Sequence, residues 1–381
     1  MAPGPSRTPF AERGGPLRGV LDLATGRYPA FLFGGSARRD LPVFHLHETS
    51  PSVLSAHLEY LSDNGYRTVT SEAITAWVRH GRHPGERTVA LCFDDAWASL
   101  WTTAAPLLKR FGLTAITFAI PGRIGDATTL RPTIETNANV EDVDRSETPL
   151  VTWPELKALF DSGVIDVQSH SHSHSMMFSG ETPVSFVSPD FASEPLLNRP
   201  RIRSSTTADS RQQFLDPHAY GAPLYDRRSR LSDAWRYLES PDARERCMAH
   251  VRQNGGPDFF RRTRWSEDLK VVHASAPGRG DYEDESTRRT AILDELDRSR
   301  AELVAKLPGV RISHVCAPWG IAGEIARDAA RTLGFEALFA DRLFGRRTVR
   351  AGDDPFSLMR LHERFIACLP GRGRRHFFSA R

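Results

Sequence analysis

Lysine, cysteine and long apolar runs are all scarce in this chain of 381 residues. Only four of its 50 basic residues are lysine, and the net charge is a mild +3. Because the basic residues are spread along the chain and form no stripe, nucleic-acid binding is not favoured. No stretch of about 18 apolar residues occurs, so no membrane partner is expected.

The cysteines are few and far apart. Cys92, Cys247, Cys316 and Cys368 include no CxxC pair, so neither a disulfide framework nor a thiolate metal cluster is indicated. The first twenty residues contain no apolar segment of the kind that a signal peptide needs. From these absences we expect a cytoplasmic protein in a reducing compartment.

What is present is a globular composition, with 40% hydrophobic and 25% charged residues. Residues 1–38, rich in Pro, Gly and Arg, predict an irregular arm, and residues 371–381 a basic tail. Between them, residues 39–370 predict a single domain. A long segment at about 176–286 interrupts its pattern and contains a predicted helix at 231–253, so it is a structured insertion.

On both sides of this insertion, short apolar runs alternate with helical patterns. Repeated β-then-α units imply parallel strands covered by helices, as an open sheet or as a barrel. Both architectures place functional side chains at the carboxyl ends of strands. Strands are predicted at 42–46, 66–70, 88–93, 114–120, 164–168, 312–316, 337–340 and 357–361.

Two adjacent aspartates, Asp94 and Asp95, end the apolar run VALCFDDAW. Carboxylates at the end of a buried strand are costly unless they are paired with a metal or a cation. One of them can bind a metal while its neighbour accepts a proton. The alternative is a helix N-cap followed by an acid in the first turn.

A histidine run follows the strand predicted at 164–168. His170 and His174 are four residues apart, so one helical turn would place both imidazoles on one face at metal-ligand distance. His172 would share a face with His170 only in an extended chain. The alternative is a solvated histidine tract. Because the aspartates also end a strand of the same array, a metal site is favoured.

Three motifs resemble those of the polysaccharide deacetylase family, also called carbohydrate esterase family 4 or the NodB-homology fold. The run CFDDA at 92–96 is similar to the TFDDG-type motif, with alanine where glycine is usual. The run HSHSH at 170–174 matches H-[S/T]-x-x-H. The run CAPWG at 316–320 resembles R-x-P-[Y/F], with cysteine in place of arginine.

The resemblance covers roughly residues 41–175 and 287–362. It implies an α/β fold, a distorted (β/α)7-type barrel of the NodB-homology kind with a long insertion after the strand that carries the histidine motif. It also implies a divalent metal held by Asp95, His170 and His174, with Zn²⁺ preferred over Co²⁺, Ni²⁺, Mn²⁺ or Fe²⁺. Asp94 would be the general base.

The late motifs imply the remaining catalytic groups. His362 is the candidate general acid, in the run MRLH, which resembles the L-x-H motif of the family. Another branch of the family ends in an R-I type dipeptide, which Arg360 and Leu361 also resemble, and His362 would then be incidental. Arg360 is a candidate substrate contact and a candidate substitute for the arginine that is missing at position 316.

Three further residues are expected to touch the substrate. Pro318 and Trp319 lie in the third motif, and a backbone N–H near Trp319 would stabilise the oxyanion. His47 alternates with His45 along a predicted strand, so both point to one side. His47 is therefore expected to contact substrate or donate a proton, and the alternative is a hydrogen-bonded core histidine.

The function that these motifs imply is metal-dependent hydrolysis of an N-acyl group, above all N-acetyl, from an amino sugar or a small sugar-containing molecule. Alternatives on the same metal are O-acetyl ester cleavage, deformylation and cyclic-amide opening. A non-catalytic metal- or carbohydrate-binding relative is a further possibility, and a glycosyltransferase would leave the histidines unexplained. Arginines of the insertion favour an anionic or nucleotide-bearing substrate over a neutral polymer, and the alternative is a solvated face: Arg201, Arg203, Arg211, Arg227 and Arg228.

Overall fold

The computed structural model describes residues 20, 23–47, 50–137, 140, 148–202, 213–342 and 345–379. The chain forms two compact units. The barrel unit takes in the described residues up to Ser173, then Leu293–Ala322 and those from Arg327 onward. The insertion unit comprises His174–Ile292 and Gly323–Ala326, close to the insertion predicted at 176–286.

The strands are short and mostly buried. In chain order they are β1 (Val43–Leu46), β2 (Arg67–Thr68), β3 (Thr88–Asp95), β4 (Ala115–Ala119), β5 (Ile165–Ser169), β6 (Met176–Phe186), β7 (Pro223–Ser229), β8 (Tyr237–Leu238), β9 (Asp281–Tyr282), β10 (His314–Cys316), β11 (Ala337–Phe339) and β12 (Leu361–His362).

Helices follow most of the barrel strands. They are α1 (Pro51–Asp63), α2 (Ser71–His80), α3 (Ala105–Arg110), α4 (Trp153–Asp161), α5 (Pro241–Gln253), α6 (Trp265–Ala274), α7 (Glu285–Lys306) and α8 (Glu324–Thr332). A π-helical turn, Leu100–Ala104, precedes α3.

The barrel unit is built on one parallel sheet in the order β11, β10, β5, β4, β3, β1, β12, with β2 paired to β3. Its two ends meet through the segment before β12. Leu358 forms a parallel bridge with Phe339 of β11, while Leu361 pairs with Phe44 of β1. The sheet therefore curls into a barrel, which resolves the choice between barrel and open sheet and confirms the predicted fold.

All eight residues of β3 are buried. Ala90 and Cys92 belong to the same core cluster as Phe118 and Phe339, so alternation along the strand directs Asp94 toward this interior as well. The strand thus carries an ionisable group to the carboxyl end of an otherwise apolar core. Such a group needs a partner there.

The insertion unit has β structure that the sequence did not predict. Strands β6 and β7 form an antiparallel two-stranded sheet, and β8 pairs with β9. The helix predicted at 231–253 is wrong in its first half, because α5 begins only at Pro241, after the N-cap Ser240 whose hydroxyl accepts from Ala243 N. Across the described residues, no helix has the length and apolarity required to cross a membrane.

Candidate metal centre

Left-handed backbone is concentrated at the carboxyl ends of the barrel strands. Such conformations are strained in residues other than glycine and persist where surrounding structure enforces them, often at functional sites. The family motif has glycine at position 96, and alanine here keeps the positive φ. The residues are Asp95 (φ 68°), Ala96 (φ 57°), Ser171 (φ 63°), His174 (φ 51°) and Trp319 (φ 55°).

Asp95, His170 and His174 each present a ligand atom, and these atoms lie within 4.8 Å of one another. All three side chains are buried. The boundary between the two units falls between Ser173 and His174, so a single peptide bond joins His174 to the barrel unit. One carboxylate and two imidazoles form a donor set that suits Zn²⁺ and related divalent cations.

The histidine loop reaches this arrangement by a different route from the predicted helical turn. Residues after His170 form an irregular segment with bends, with positive φ at Ser171 and His174. The spacing of four residues was therefore the right signal, but left-handed backbone brings the two rings together.

His170 is oriented by a backbone carbonyl. Its Nδ1 lies 2.8 Å from the carbonyl oxygen of Cys316, which leaves Nε2 3.3 Å from Oδ1 of Asp95. Burial would lower the pKa of His170, but its contacts with Cys316 and Asp95 outweigh burial and raise the pKa well above its ordinary value. Nε2 of His170 and Oδ1 of Asp95 therefore face each other where a cation would bind, and a bound metal would replace the proton that the raised pKa keeps on the imidazole.

Asp95 is oriented as well, because Trp97 Nε1 donates to Asp95 Oδ2 at 3.0 Å. A hydrogen bond to one carboxylate oxygen fixes the direction of the other, as groups around bound metals commonly do. The residues present therefore fit a divalent metal in donor type, burial and orientation.

Asp94 forms a bidentate ion pair with Arg360. The two guanidinium nitrogens donate to Oδ1 at 2.6 Å and Oδ2 at 2.7 Å. Burial alone would raise the pKa of Asp94, but Arg360 outweighs it and holds the pKa well below its usual range. Asp94 is therefore a carboxylate at any neutral pH, and Arg360 is better described as positioning it than as a substrate contact.

Arg360 lies beside position 316, where the third motif of the family has arginine and this chain has cysteine. Its guanidinium also donates to Cys316 Sγ at 3.0 Å and lies 5.5 Å from the Phe118 ring centre and 5.7 Å from that of Phe339. A second group of potential ligands, Asp94, His170 and Cys316, satisfies the same 4.8 Å limit. Arg360 occupies both oxygens of Asp94, so the group containing Asp95 is the better cation site.

His172 lies outside both ligand groups. Its Nε2 is 2.9 Å from Glu302 Oε2 on α7, which ties the loop to that helix. Beside it, Glu295 accepts from Ser173 N at 3.0 Å and from its hydroxyl at 2.6 Å. Sequence reasoning missed Glu295 as a residue that holds the histidine loop. The available signal was a carboxylate on the apolar face of α7, next to Leu296.

Three histidines surround the Asp94 side of the barrel mouth. His47 Nε2 lies 3.8 Å from Asp94 Oδ2, and its side chain is 52% exposed. The ring of partly buried His45 contacts both His47 and His362, with centroids 5.6 Å and 5.3 Å away. Burial, aided by Arg360, lowers the pKa of His45 well below its ordinary value. His45 and His47 do point to one side, as predicted.

His362 is placed less favourably for acid catalysis. Burial, and then the charge of Arg364, lower the pKa of His362 to about 4, so it is neutral at pH 7. Its Nδ1 accepts the Arg364 backbone N–H at 3.3 Å, so the 3.0 Å approach of Glu363 is not an ion pair. His47, nearer to the Asp94 carboxylate, is the better candidate for proton donation.

The third motif forms a tight 3-10 turn, Pro318–Gly320. Pro318 is buried and Trp319 is partly exposed with left-handed backbone. This turn follows β10, the strand whose Cys316 carbonyl orients His170. The backbone N–H of Trp319 stays the predicted oxyanion donor.

One of the insertion arginines predicted to bind an anion, Arg227, does not reach the surface. Arg227 is buried and donates to Glu194 Oε1 at 3.0 Å and to the Asn198 carbonyl at 2.9 Å, so it serves the fold. Arg203 and Arg211 lie outside the described residues. Arg228 is exposed on β7.

A parallel barrel with a buried aspartate and histidine group at the carboxyl ends of its strands is an arrangement that could hold a divalent cation. The family model described as polysaccharide deacetylase matches residues 81–215. This match confirms the resemblance of the chain to the polysaccharide deacetylase family.

Individual relatives match over shorter stretches. YxkH of Bacillus subtilis is 36% identical over 70 residues, which is 18% of this chain and 25% of YxkH. The poly-beta-1,6-N-acetyl-D-glucosamine N-deacetylase of Staphylococcus aureus strain MSSA476 is 22% identical over 126 residues, covering 33% of this chain and 38% of that enzyme. The chain therefore spans well under half the length of these relatives.

Two solved structures are similar over most of this chain. The deacetylase domain of BpsB from Bordetella bronchiseptica has a TM-score of 0.48 and 16% identity, covering 85% of this chain and 95% of that one. IcaB from Ammonifex degensii has a TM-score of 0.46 and 17% identity, covering 85% and 91%.

Proposed function

We propose that this protein is a metal-dependent deacetylase that hydrolyses the N-acetyl group of an amino sugar, releasing acetate and a free amine. The observation that carries the proposal is the pairing of two carboxylates with different partners. Asp94 is held by Arg360 at 2.6 and 2.7 Å, while the adjacent Asp95 belongs to the group with His170 and His174. Environment thus separates the roles of two neighbouring acids.

Asp95, His170 and His174 would hold the metal, with Zn²⁺ as the first choice. A divalent cation bound there would supply Lewis-acid chemistry, polarising the acyl carbonyl and lowering the pKa of water.

Asp94 accepts the proton of the attacking water in this proposal. The Arg360 pair keeps Asp94 ionised but also makes it a weak base, so Asp94 contributes mainly through its position. The N–H of Trp319 would donate to the carbonyl oxygen as negative charge develops on it. His47, 3.8 Å from Asp94, would give a proton to the departing amine.

The relatives support the sugar and the amide bond. The staphylococcal relative is named for removing N-acetyl groups from a β-1,6-linked N-acetylglucosamine polymer. We extend to this chain only the bond and the sugar class, and we include both short and polymeric N-acetylglucosamine substrates in the proposal.

The test is acetate release by protein stripped with a chelator and then supplied with Zn²⁺. We expect release from N-acetylglucosamine oligomers to return with the metal. Asp94→Asn should lower kcat by roughly 10²-fold or more while the bound metal, measured by elemental analysis, is unchanged. Asp95→Asn should lose the metal itself.

His172→Asn is the matched control, because it removes a histidine of the same loop from outside the ligand group. No acetate from any N-acetyl sugar, or wild-type turnover by Asp94→Asn, would show the proposal to be wrong. Faster cleavage of a matched O-acetyl sugar would reassign the bond to an ester.

A further inference from the structure

A groove of about 700 Å³ lies on the insertion unit. It is lined by Ser179, Asp226, Arg228, Ala234, Trp235 and Tyr282. None of these residues belongs to the candidate metal centre. The volume falls within the range typical of small-molecule sites.

One wall is the exposed face of the antiparallel β6–β7 sheet. Met177 of β6 pairs with Arg228 of β7, so alternation along the two strands places Ser179, Asp226 and Arg228 on one face. Asp226 and Arg228 are exposed, whereas the intervening Arg227 is buried. This wall therefore offers a carboxylate, a guanidinium and a hydroxyl within one short stretch of sheet.

The facing wall is aromatic. Trp235 and Tyr282 are 42% and 40% exposed, which is unusual for such large side chains. The Arg288 guanidinium lies 4.1 Å from the centre of the Trp235 ring, and Arg288 is itself held by the Asp233 carbonyl at 2.7 Å. The Tyr282 ring packs edge-on against Tyr237 with centroids 5.5 Å apart. Both rings are thus fixed in place before any ligand arrives.

We propose that this groove binds a neutral saccharide, separately from the metal centre. A sugar ring has apolar C–H faces and polar hydroxyl edges. Fixed aromatic rings suit the faces, while Asp226 accepts and Arg228 donates hydrogen bonds to the edges. One acid and one base cancel in charge, which disfavours an anionic ligand. The choice of a saccharide rests in part on the proposed function.

Binding is measured on the full chain carrying Asp94→Asn, so that no probe is consumed. The probes are a β-1,6-linked N-acetylglucosamine tetrasaccharide, cellotetraose and an anionic heparin-derived tetrasaccharide, titrated by calorimetry and by saturation-transfer NMR. We expect the neutral probes to bind. Trp235→Ala and Asp226→Ala should each weaken their affinity about tenfold or more, while Trp235→Phe should retain most of it.

Phe378→Ala is the matched control, because Phe378 is an exposed aromatic residue of the barrel unit. Its affinity should equal that of the parent. The proposal is overturned if neither neutral probe binds, if the groove variants bind as the parent does, or if the anionic probe binds more tightly than the neutral ones.

Acetate release by the wild-type chain is assayed in parallel to separate the two proposals. Turnover without groove-dependent binding would overturn only the saccharide groove. Groove-dependent binding without turnover would overturn only the proposed activity.

Discussion

At the scale of single residues, the most informative contact is Arg360 with Asp94. Cys316 stands where the family motif has arginine, and Arg360 reaches both Asp94 and the Cys316 sulfur. An arginine at 316 and another at 360 would compete for one carboxylate. The structure thus places a cation beside Asp94 from the segment that precedes β12, while position 316 holds a small thiol.

The first prediction concerns this exchange. Arg360→Ala should lower the free energy of unfolding by about 3–5 kcal/mol, because it leaves the buried Asp94 carboxylate without its cation. Chemical denaturation measures the loss. Restoring the family arginine in Arg360→Ala/Cys316→Arg should recover part of both stability and kcat.

Arg364→Ala serves as the control for this prediction, since Arg364 is an exposed arginine of the same segment. Its stability should change by less than about 0.5 kcal/mol. A double variant no better than Arg360→Ala would contradict the exchange.

The second prediction compares the two candidate acids. His47→Asn should lower kcat roughly 10²-fold, whereas His362→Asn should lower it less than about tenfold. The reason is that His47 lies 3.8 Å from Asp94, while His362 is neutral at pH 7 with a pKa of about 4. Steady-state kinetics on one N-acetyl sugar decides between them, and the reverse order would restore His362 as the general acid.

At the scale of elements, α4 is tied to the loop before it through a buried ion pair. Glu155, in the first turn of α4, is fully buried and accepts the Thr152 N–H at 2.9 Å, which is the contact that a glutamate makes in a capping box. Arg131 donates to both Glu155 oxygens and also to the carbonyls of Thr148 and Leu150. One arginine thus fixes the helix start and the chain that leads into it.

The third prediction is that Arg131→Ala destabilises the chain by about 3 kcal/mol at pH 7. Burial would raise the pKa of Glu155, but hydrogen bonds from Arg131 and Thr152 lower it below its ordinary value. A lowered folded-state pKa stabilises above the unfolded value of about 4.3 and is lost as pH falls through the folded value.

The difference between wild type and Arg131→Ala should therefore be full at neutral pH and shrink below about pH 4. Urea denaturation across this range measures it. Lys157→Ala, which breaks only the exposed pair with Asp161 on the same helix, should cost under about 0.5 kcal/mol at every pH. A constant difference down to pH 3 would show that Glu155 charge is not the cause.

The pattern of apolar residues predicted the barrel elements well, because within each element this pattern determines which residues are buried. The strand predicted at 88–93 matches β3 within two residues. The sequence did not predict the antiparallel β6–β7 sheet, because β6 carries Pro183 and alternates irregularly between exposed and buried positions. Its pairing depends on a partner strand that begins at residue 223.

The candidate site was predictable where residue type alone carries the chemistry, as for Asp94, Asp95, His170 and His174. That Arg360 takes the place of the family arginine at position 316 was only a hypothesis, because it requires two segments far apart in the sequence to converge. The support of the histidine loop by Glu295 also depends on tertiary contact. The left-handed backbone at Asp95 and His174 could not be predicted, because glycine is the residue type that signals this conformation and neither residue is a glycine.

At the scale of the whole molecule, each unit buries its own core. The barrel unit packs Ile116, Phe118 and Phe339 inside its sheet. The insertion unit packs Phe178, Tyr225 and their neighbours in a separate cluster. The predicted metal ligands Asp95 and His170 belong to the barrel unit, so a bound cation should stabilise the folded barrel.

The last prediction follows from this linkage between metal and folding. A cation at about 100 times its Kd adds about 2.7 kcal/mol to the free energy of unfolding if it binds only the folded state. For a chain of this size, we expect Zn²⁺ to raise the Tm of metal-stripped protein by about 3 °C in scanning calorimetry. His170→Ala should abolish this rise, because it removes a ligand that the Cys316 carbonyl has already oriented. His172→Ala lowers the starting Tm through the lost Glu302 contact yet should keep the full metal-dependent rise. Equal responses of the two variants would mean that the cation binds the histidine run without using the Asp95 group.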